Sequence, residues 1–133
     1  MNRSQRATAE SVIINEMAVN SSFRSLVLDQ LSRVVSGVRA RSMFGGVGIY
    51  AGNVFFALID GDTLYLKVDD TNRGDFEARG LGPFRPFGEG GEVMQYYALD
   101  ESIFEDLDEL RRWCEKAIAV AVSKKAARAK KRR

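Results

Sequence analysis

Apolar positions along the chain change their spacing twice, from the three- and four-residue steps of a helix to alternation and back again. Phe23, Leu26, Val27, Leu31, Val34 and Val35 fall on one helical stripe. Ser21 or Ser22 is placed to cap that helix and Gly37 to end it. The period then drops to two. The runs VRARSMF, VGIY, NVFFALID and TLYLKVD are rich in β-branched and aromatic residues, and Gly45-Gly46, Ala51-Gly52-Asn53 and Asp60-Gly61-Asp62 separate them, which predicts an antiparallel meander. In TLYLKVD, Leu64, Leu66 and Val68 share one face while Tyr65, Lys67 and Asp69 share the other, so helices are expected on one side of the sheet only.

Asp70 or Thr71 can cap a short helix through DTNRGDFEARG, with Phe76 as its anchor and Gly80 and Gly82 as its stop. A weaker strand around Pro83 to Phe87 leads through GEGGE into VMQYYAL, which has the composition of a final hairpin strand. The last helix begins near Asp106, where Asp106-Leu107-Asp108-Glu109 has capping-box spacing. It continues with Leu107, Leu110, Cys114, Ala117, Ile118 and Ala121 on one stripe. Acidic residues at its start and basic ones at its end suit the helix dipole. The expected fold is α+β, two-layer, an antiparallel sheet with helices packed on one face, in the coarse order α-β-β-β-α-β-β-α.

A chain of 133 residues suits one core better than two. The expected organisation is an N-terminal extension over 1–21, a folded domain over 22–122 and a basic tail over 123–133. The extension holds one brief apolar cluster, Val12, Ile13, Ile14 and Met17, enough for a loose helical turn. No stretch approaches the ~18 apolar residues of a membrane span, and the N-terminus lacks the apolar block of a secretory signal, so no membrane association and a cytoplasmic location are expected. The single cysteine, Cys114, fits a reducing compartment.

Absence of histidine removes whole classes of chemistry. No histidine-based triad can be built, and one thiol without imidazole cannot supply the usual zinc ligands, which leaves only oxygen ligands for a metal. The glycines of MFGGVGIY loosely fit a nucleotide-binding fingerprint, but a strand follows them where a phosphate cradle needs a helix, so they read as a tight turn or bulge. Asp60, Asp62, Asp69 and Asp70 could be gathered into a carboxylate site, yet each pair stands where a hairpin turn or a helix start needs it. GEGGE lacks the alternating oxygen ligands of a calcium loop. Cys114 reads as a core thiol. Tyr96 and Tyr97 point to opposite faces of their strand, as do Phe55 and Phe56, so one of each pair is expected to face solvent or a partner.

The net charge of +2 conceals an asymmetry. Lys124, Lys125, Arg128, Lys130, Lys131, Arg132 and Arg133 crowd the last eleven residues and leave 13 basic against 18 acidic residues in the rest, a body of about −5. Such a tail binds phosphates without reading bases. It reads equally as a solubilising end or as an extension of the last helix, and it lacks interleaved aromatics for stacking on single strands.

The run Arg41-Ser42-Met43-Phe44-Gly45-Gly46-Val47-Gly48-Ile49-Tyr50, followed by Phe56-Ala57-Leu58-Ile59 and Leu64-Tyr65-Leu66-Lys67, resembles the signature of TfoX N-terminal domains, from the TfoX/Sxy regulators of competence genes. The Tyr96-Tyr97 strand and the Leu110 to Trp113 helix are also similar, and the likeness covers about residues 22–122. The resemblance implies a two-layer α+β domain with no catalytic residue and no cofactor. Family members from competent bacteria act with the cyclic-AMP receptor protein at promoters of DNA-uptake genes, and full-length regulators carry a further helical domain where this chain has its basic tail. A non-enzymatic regulatory or protein-interaction module is therefore expected. Its partners would be transcription machinery or another protein, or a second copy joined through the sheet edge or an exposed aromatic face. The alternative is a weak, sequence-independent DNA-binding accessory protein acting through the tail. No small-molecule substrate is expected.

Overall fold

Five antiparallel strands among the described residues lie side by side in chain order in one sheet. The computed structural model describes residues 20–43, 45–85 and 95–131. The elements run α1 (Ser21–Ser32), β1 (Val38–Met43), β2 (Gly46–Ala51), β3 (Val54–Asp60), β4 (Thr63–Lys67), α2 (Arg73–Glu77), β5 (Tyr96–Ala98), α3 (Glu101–Glu105) and α4 (Leu107–Lys131). The α+β class and the antiparallel sheet follow the sequence reading, with three differences in order. Four strands rather than three precede the central helix, because each alternating run makes its own hairpin partner. In its described residues, 83–85, the weak strand near Pro83 shows a single bridge, to Tyr97. A short helix, α3, stands ahead of α4. Residues 1–19 of the extension, Phe44, residues 86–94 with the whole of GEGGE, and Arg132 and Arg133 lie outside the described residues.

The alternation in β4 sorts the two faces as expected. Leu64, Leu66 and Val68 are buried with Val47, Ile49, Ala57 and Ile59 against Val27, Leu31 and Val35 of the α1 region and Leu110, Cys114, Ala117 and Ala121 of α4. Each large side chain fully buried here contributes about 1.5–3 kcal/mol of hydrophobic stabilisation. Phe76 anchors α2 as predicted, 1% exposed and edge-on to Trp113 at 4.7 Å. Cys114 is fully buried, and burial pushes its thiol pKa up to about 12.

A bulge changes the aromatic assignments. Ile49 pairs with Ala57 but Tyr50 pairs with Phe55, so Phe56 is the extra residue and turns into the core, leaving Phe55 half-buried on the other face. Tyr97 packs on Phe76 and Tyr96 on Phe55. They do take opposite faces, yet both are buried, because the face away from the core has an aromatic cluster of its own.

Caps also shift by a residue or two. Asn20, not Ser21 or Ser22, caps α1, its side chain accepting from the Ser22 and Phe23 amides at 2.8 and 3.2 Å. Arg33 is the C-terminal cap, and Gly37 lies in the link beyond it, where its carbonyl accepts from Gly52 N–H at 2.8 Å. At α2 the capping position is Asn72, whose side chain instead ties Asp69 N–H to the Lys67 carbonyl. Asp106 caps α4 as read, accepting from the Asp108 and Glu109 amides. The glycines of MFGG make the β1–β2 turn: Gly45 has φ +80°, and a Cβ on Gly46 would lie 2.6 Å from the Ile59 carbonyl oxygen.

Candidate functional site

Of the four carboxylates singled out in the sequence, those of Asp69 and Asp70 have bonding partners among the described residues, while Asp60 and Asp62 flank the β3–β4 turn. Asp60 pairs with Thr63 across the β3–β4 turn, Asp70 binds Arg73, and the Asp69 carboxylate accepts from both the amide and the hydroxyl of Thr71. That hydroxyl, and more weakly the Lys124 and Arg73 charges, hold the Asp69 pKa below its ordinary value. No group of three or more metal-ligating side chains occurs among the described residues.

Two of the concavities on the described surface are nearly equal in size and differ in chemistry. The first lies between α1 and α3 over the end of the sheet, about 530 Å³, with Phe23, Leu26, Leu64, Leu99 and Phe104 as its apolar lining. Leu26 was placed on the buried stripe by its spacing but is 54% exposed here. Asp62, Glu101 and Glu105 also line the cleft. Its wall α3 is fixed by Asp100, which accepts from the Ile103 amide at 2.9 Å and pairs with Arg79 at 3.0 Å. The Gln30 amide donates to the Phe104 carbonyl at 3.0 Å and joins α1 to α3.

The second concavity is a groove of about 540 Å³ where the far end of α4 passes the β2–β3 turn. Tyr50, Phe55 and Lys67 come from the sheet, and Ala121, Lys125 and Arg128 from the helix. Register builds the sheet side: Arg39 lies opposite Tyr50, Tyr50 opposite Phe55, and Lys67 opposite Tyr96, a row of cations and rings across the face away from the core. Tyr50 stacks on Phe55 with centroids 5.1 Å apart, and the Lys67 ammonium lies 5.4 Å from the centroids of both Phe55 and Tyr96. The helix side is held by Lys125, which donates to the Asn53 carbonyl at 3.2 Å.

Charge in this groove meets no acid among the described residues. No carboxylate lines it among the described residues. The ion pairs found in the described residues engage Arg33, Arg73, Arg79, Arg111, Arg112 and Lys116, and none reaches Lys67 or any residue of α4 beyond Lys116. Lys67 is only 7% exposed. Burial, and then the nearby charges of Arg128 and Lys124, lower its pKa to about 8. Burial likewise raises that of Tyr96.

The predicted tail residues Lys124, Lys125, Arg128, Lys130 and Lys131 are therefore not a loose end but the last turns of α4, which runs unbroken to Lys131. Ala126, Ala127 and Ala129 between them are strong helix formers. Helical spacing puts Lys124, Arg128 and Lys131 on one stripe with Lys125 beside it, while Lys130 takes the opposite side. Lys125 and Arg128 join the groove; Lys124 lies beside it near Asp69, Thr71 and Gln95. Sequence reasoning missed Arg39, Tyr50, Phe55 and Lys67 as companions of the tail. Alternation had already placed Tyr65 and Lys67 off the core face, and that was the signal available.

The fold and these surfaces define an α+β domain on an antiparallel sheet whose face away from the core carries rings and cations. The family model for the TfoX N-terminal domain matches residues 29–121, well over half of the chain, and the protein belongs to that family. The match begins inside α1 and stops before the first cation of the α4 end. No curated protein matches the chain. No helix among the described residues is long and apolar enough to cross a membrane.

Proposed function

We propose that the protein is a non-enzymatic, cytoplasmic regulatory module that works by binding a protein of the transcription machinery, as the competence regulators of its family do. The observation that carries this reading, beside the family match, is the cleft between α1 and α3: an apolar lining with Leu26 54% exposed, set among the carboxylates of Asp62, Glu101 and Glu105. Exposed leucine and phenylalanine inside an acidic setting suit a protein surface that brings an apolar anchor framed by lysine or arginine. Sedimentation of the purified protein with RNA polymerase and the cyclic-AMP receptor protein tests it. The expected result is a co-sedimenting complex that Leu26→Asp abolishes; a protein that sediments alone in every mixture contradicts it. The same experiment, run on the protein by itself, tests self-association through the free edge of β1. That edge carries the exposed Arg39 and Arg41, charges that oppose strand-to-strand pairing.

A second reading, weak sequence-independent nucleic-acid contact through the basic end, is favoured by the cations of α4 beyond Lys116, which pair with no acid among the described residues. Gel shifts with and without residues 123–133 test it. Reduced affinity is expected on truncation, and unchanged affinity would dismiss the tail as a binding element.

A further inference from the structure

The geometry points to the groove between the end of α4 and the sheet face away from the core as a site for single-stranded nucleic acid, with phosphates on Lys125, Arg128 and Arg39 and a base stacked on the Tyr50 ring. This rests on the second reading above and deepens it, because that reading needs only the cations of the tail. A run of lysines and arginines without rings attracts any polyphosphate and has nothing with which to hold a base. The fold supplies what the tail lacks. Lys125 on the penultimate turns of α4 reaches Asn53 in the β2–β3 turn, and this contact sets the helix cations beside Tyr50 and Phe55, residues some 70 positions earlier in the chain.

Three features select a single strand over other occupants. The rings lie in a cross-strand row next to cations, so planar groups and phosphates can be met alternately along one track. Tyr50 is half-buried, stacked on Phe55 from one side and still partly open. The lining is cationic with no carboxylate among the described residues, which is complementary to a polyanion and repels a basic peptide. Lys67, seated over Phe55 and Tyr96, adds a charge that no described acid compensates and that a phosphate would. A duplex presents its bases only by their edges, so it offers the Tyr50 ring nothing to stack on.

Fluorescence anisotropy with the full chain, a labelled oligothymidine and a duplex of the same length, measured across a salt series, tests the inference. Expected are tighter binding of the single strand and a loss of about five-fold or more for Tyr50→Ala with its salt slope unchanged. Tyr50→Phe should restore affinity, and Arg128→Ala should flatten the slope by about 0.7, one phosphate contact on a single strand. Should Tyr50→Ala fail to fold, Arg39→Ala replaces it, an exposed change expected to weaken the single strand and spare the duplex. Equal affinity for both nucleic acids together with an inert Tyr50→Ala would overturn the inference while leaving the second reading intact. Binding to neither nucleic acid would overturn both, and displacement of the oligonucleotide by polyglutamate at equal charge would show a general polyanion surface and overturn the assignment to single strands.

Discussion

The cleft between α1 and α3 and the groove beside α4 have nearly the same size, about 530 and 540 Å³, yet they are built in opposite ways. The cleft is floored by core residues, Leu64 and Leu99, and its acidic side chains, Asp62, Glu101 and Glu105, stand at the β3–β4 turn and at the two ends of α3. Its shape is a by-product of how α1, α3 and the sheet pack. Of the groove's lining, only Ala121 belongs to that buried core. Its floor is a lysine between two rings and its wall a stretch of helix whose cations have no described acid to meet. Folding explains the floor of the first surface but not its exposed Leu26, and it leaves the charges of the second unexplained. Like charges brought together with a buried lysine cost stability, and a bound anion is what offsets such a cost.

That difference can be attacked from either side. Leu64→Ala, at 4% exposure under the acidic cleft, should lower stability by about 2–5 kcal/mol in denaturant unfolding, because the cavity sits in the shared core. Beneath the groove the sign reverses. Lys67 has a pKa near 8 when folded and near its ordinary value when unfolded, so the unfolded chain binds more protons between those values and stability due to this group rises with pH across that window. Lys67→Met should therefore be more stable than the parent below pH 8, with the gap closing as pH climbs past it. Comparing the two proteins at each pH cancels the opposing contribution of Cys114, whose raised pKa costs stability as pH rises above the ordinary thiol range. A parent more stable than Lys67→Met at pH 7 would mean that the two ring contacts outweigh the buried charge.

Smaller effects separate the surfaces further. Asp100→Ala removes the cap of α3 and its Arg79 pair, and a loss of about 1 kcal/mol is expected, with faster amide exchange in residues 101–105 as the sharper readout. Changing Lys130 and Lys131 to alanine should shift unfolding by no more than about 0.5 kcal/mol, since both are exposed and neither pairs with a described acid. A larger loss would show that the α4 end serves the fold after all.

Much of the fold was legible because its signals are local. Alternation in TLYLKVD sorted core from open face, the glycines of MFGG marked a turn, and Asp106 announced the start of α4. Short-range competition blurred the rest: Asn20 took the cap offered to Ser21 and Ser22, and a bulge turned Phe56 inward against simple alternation. α3 was missed because five residues are too few to show a period. The site was half legible. A charge run needs no structure to be seen, but its meeting with Tyr50 and Phe55 depends on α4 running straight to Lys131 past the β2–β3 turn, a contact across 72 positions that no local pattern encodes.

Backbone amide shifts of the full protein, followed as oligothymidine is added, test the central claim most directly. The account predicts changes gathered at Arg39, Tyr50, Phe55 and Lys67 and along residues 124–131, with the α1–α3 cleft silent. Changes confined to the tail, or spread equally over the acid-lined cleft, would contradict it.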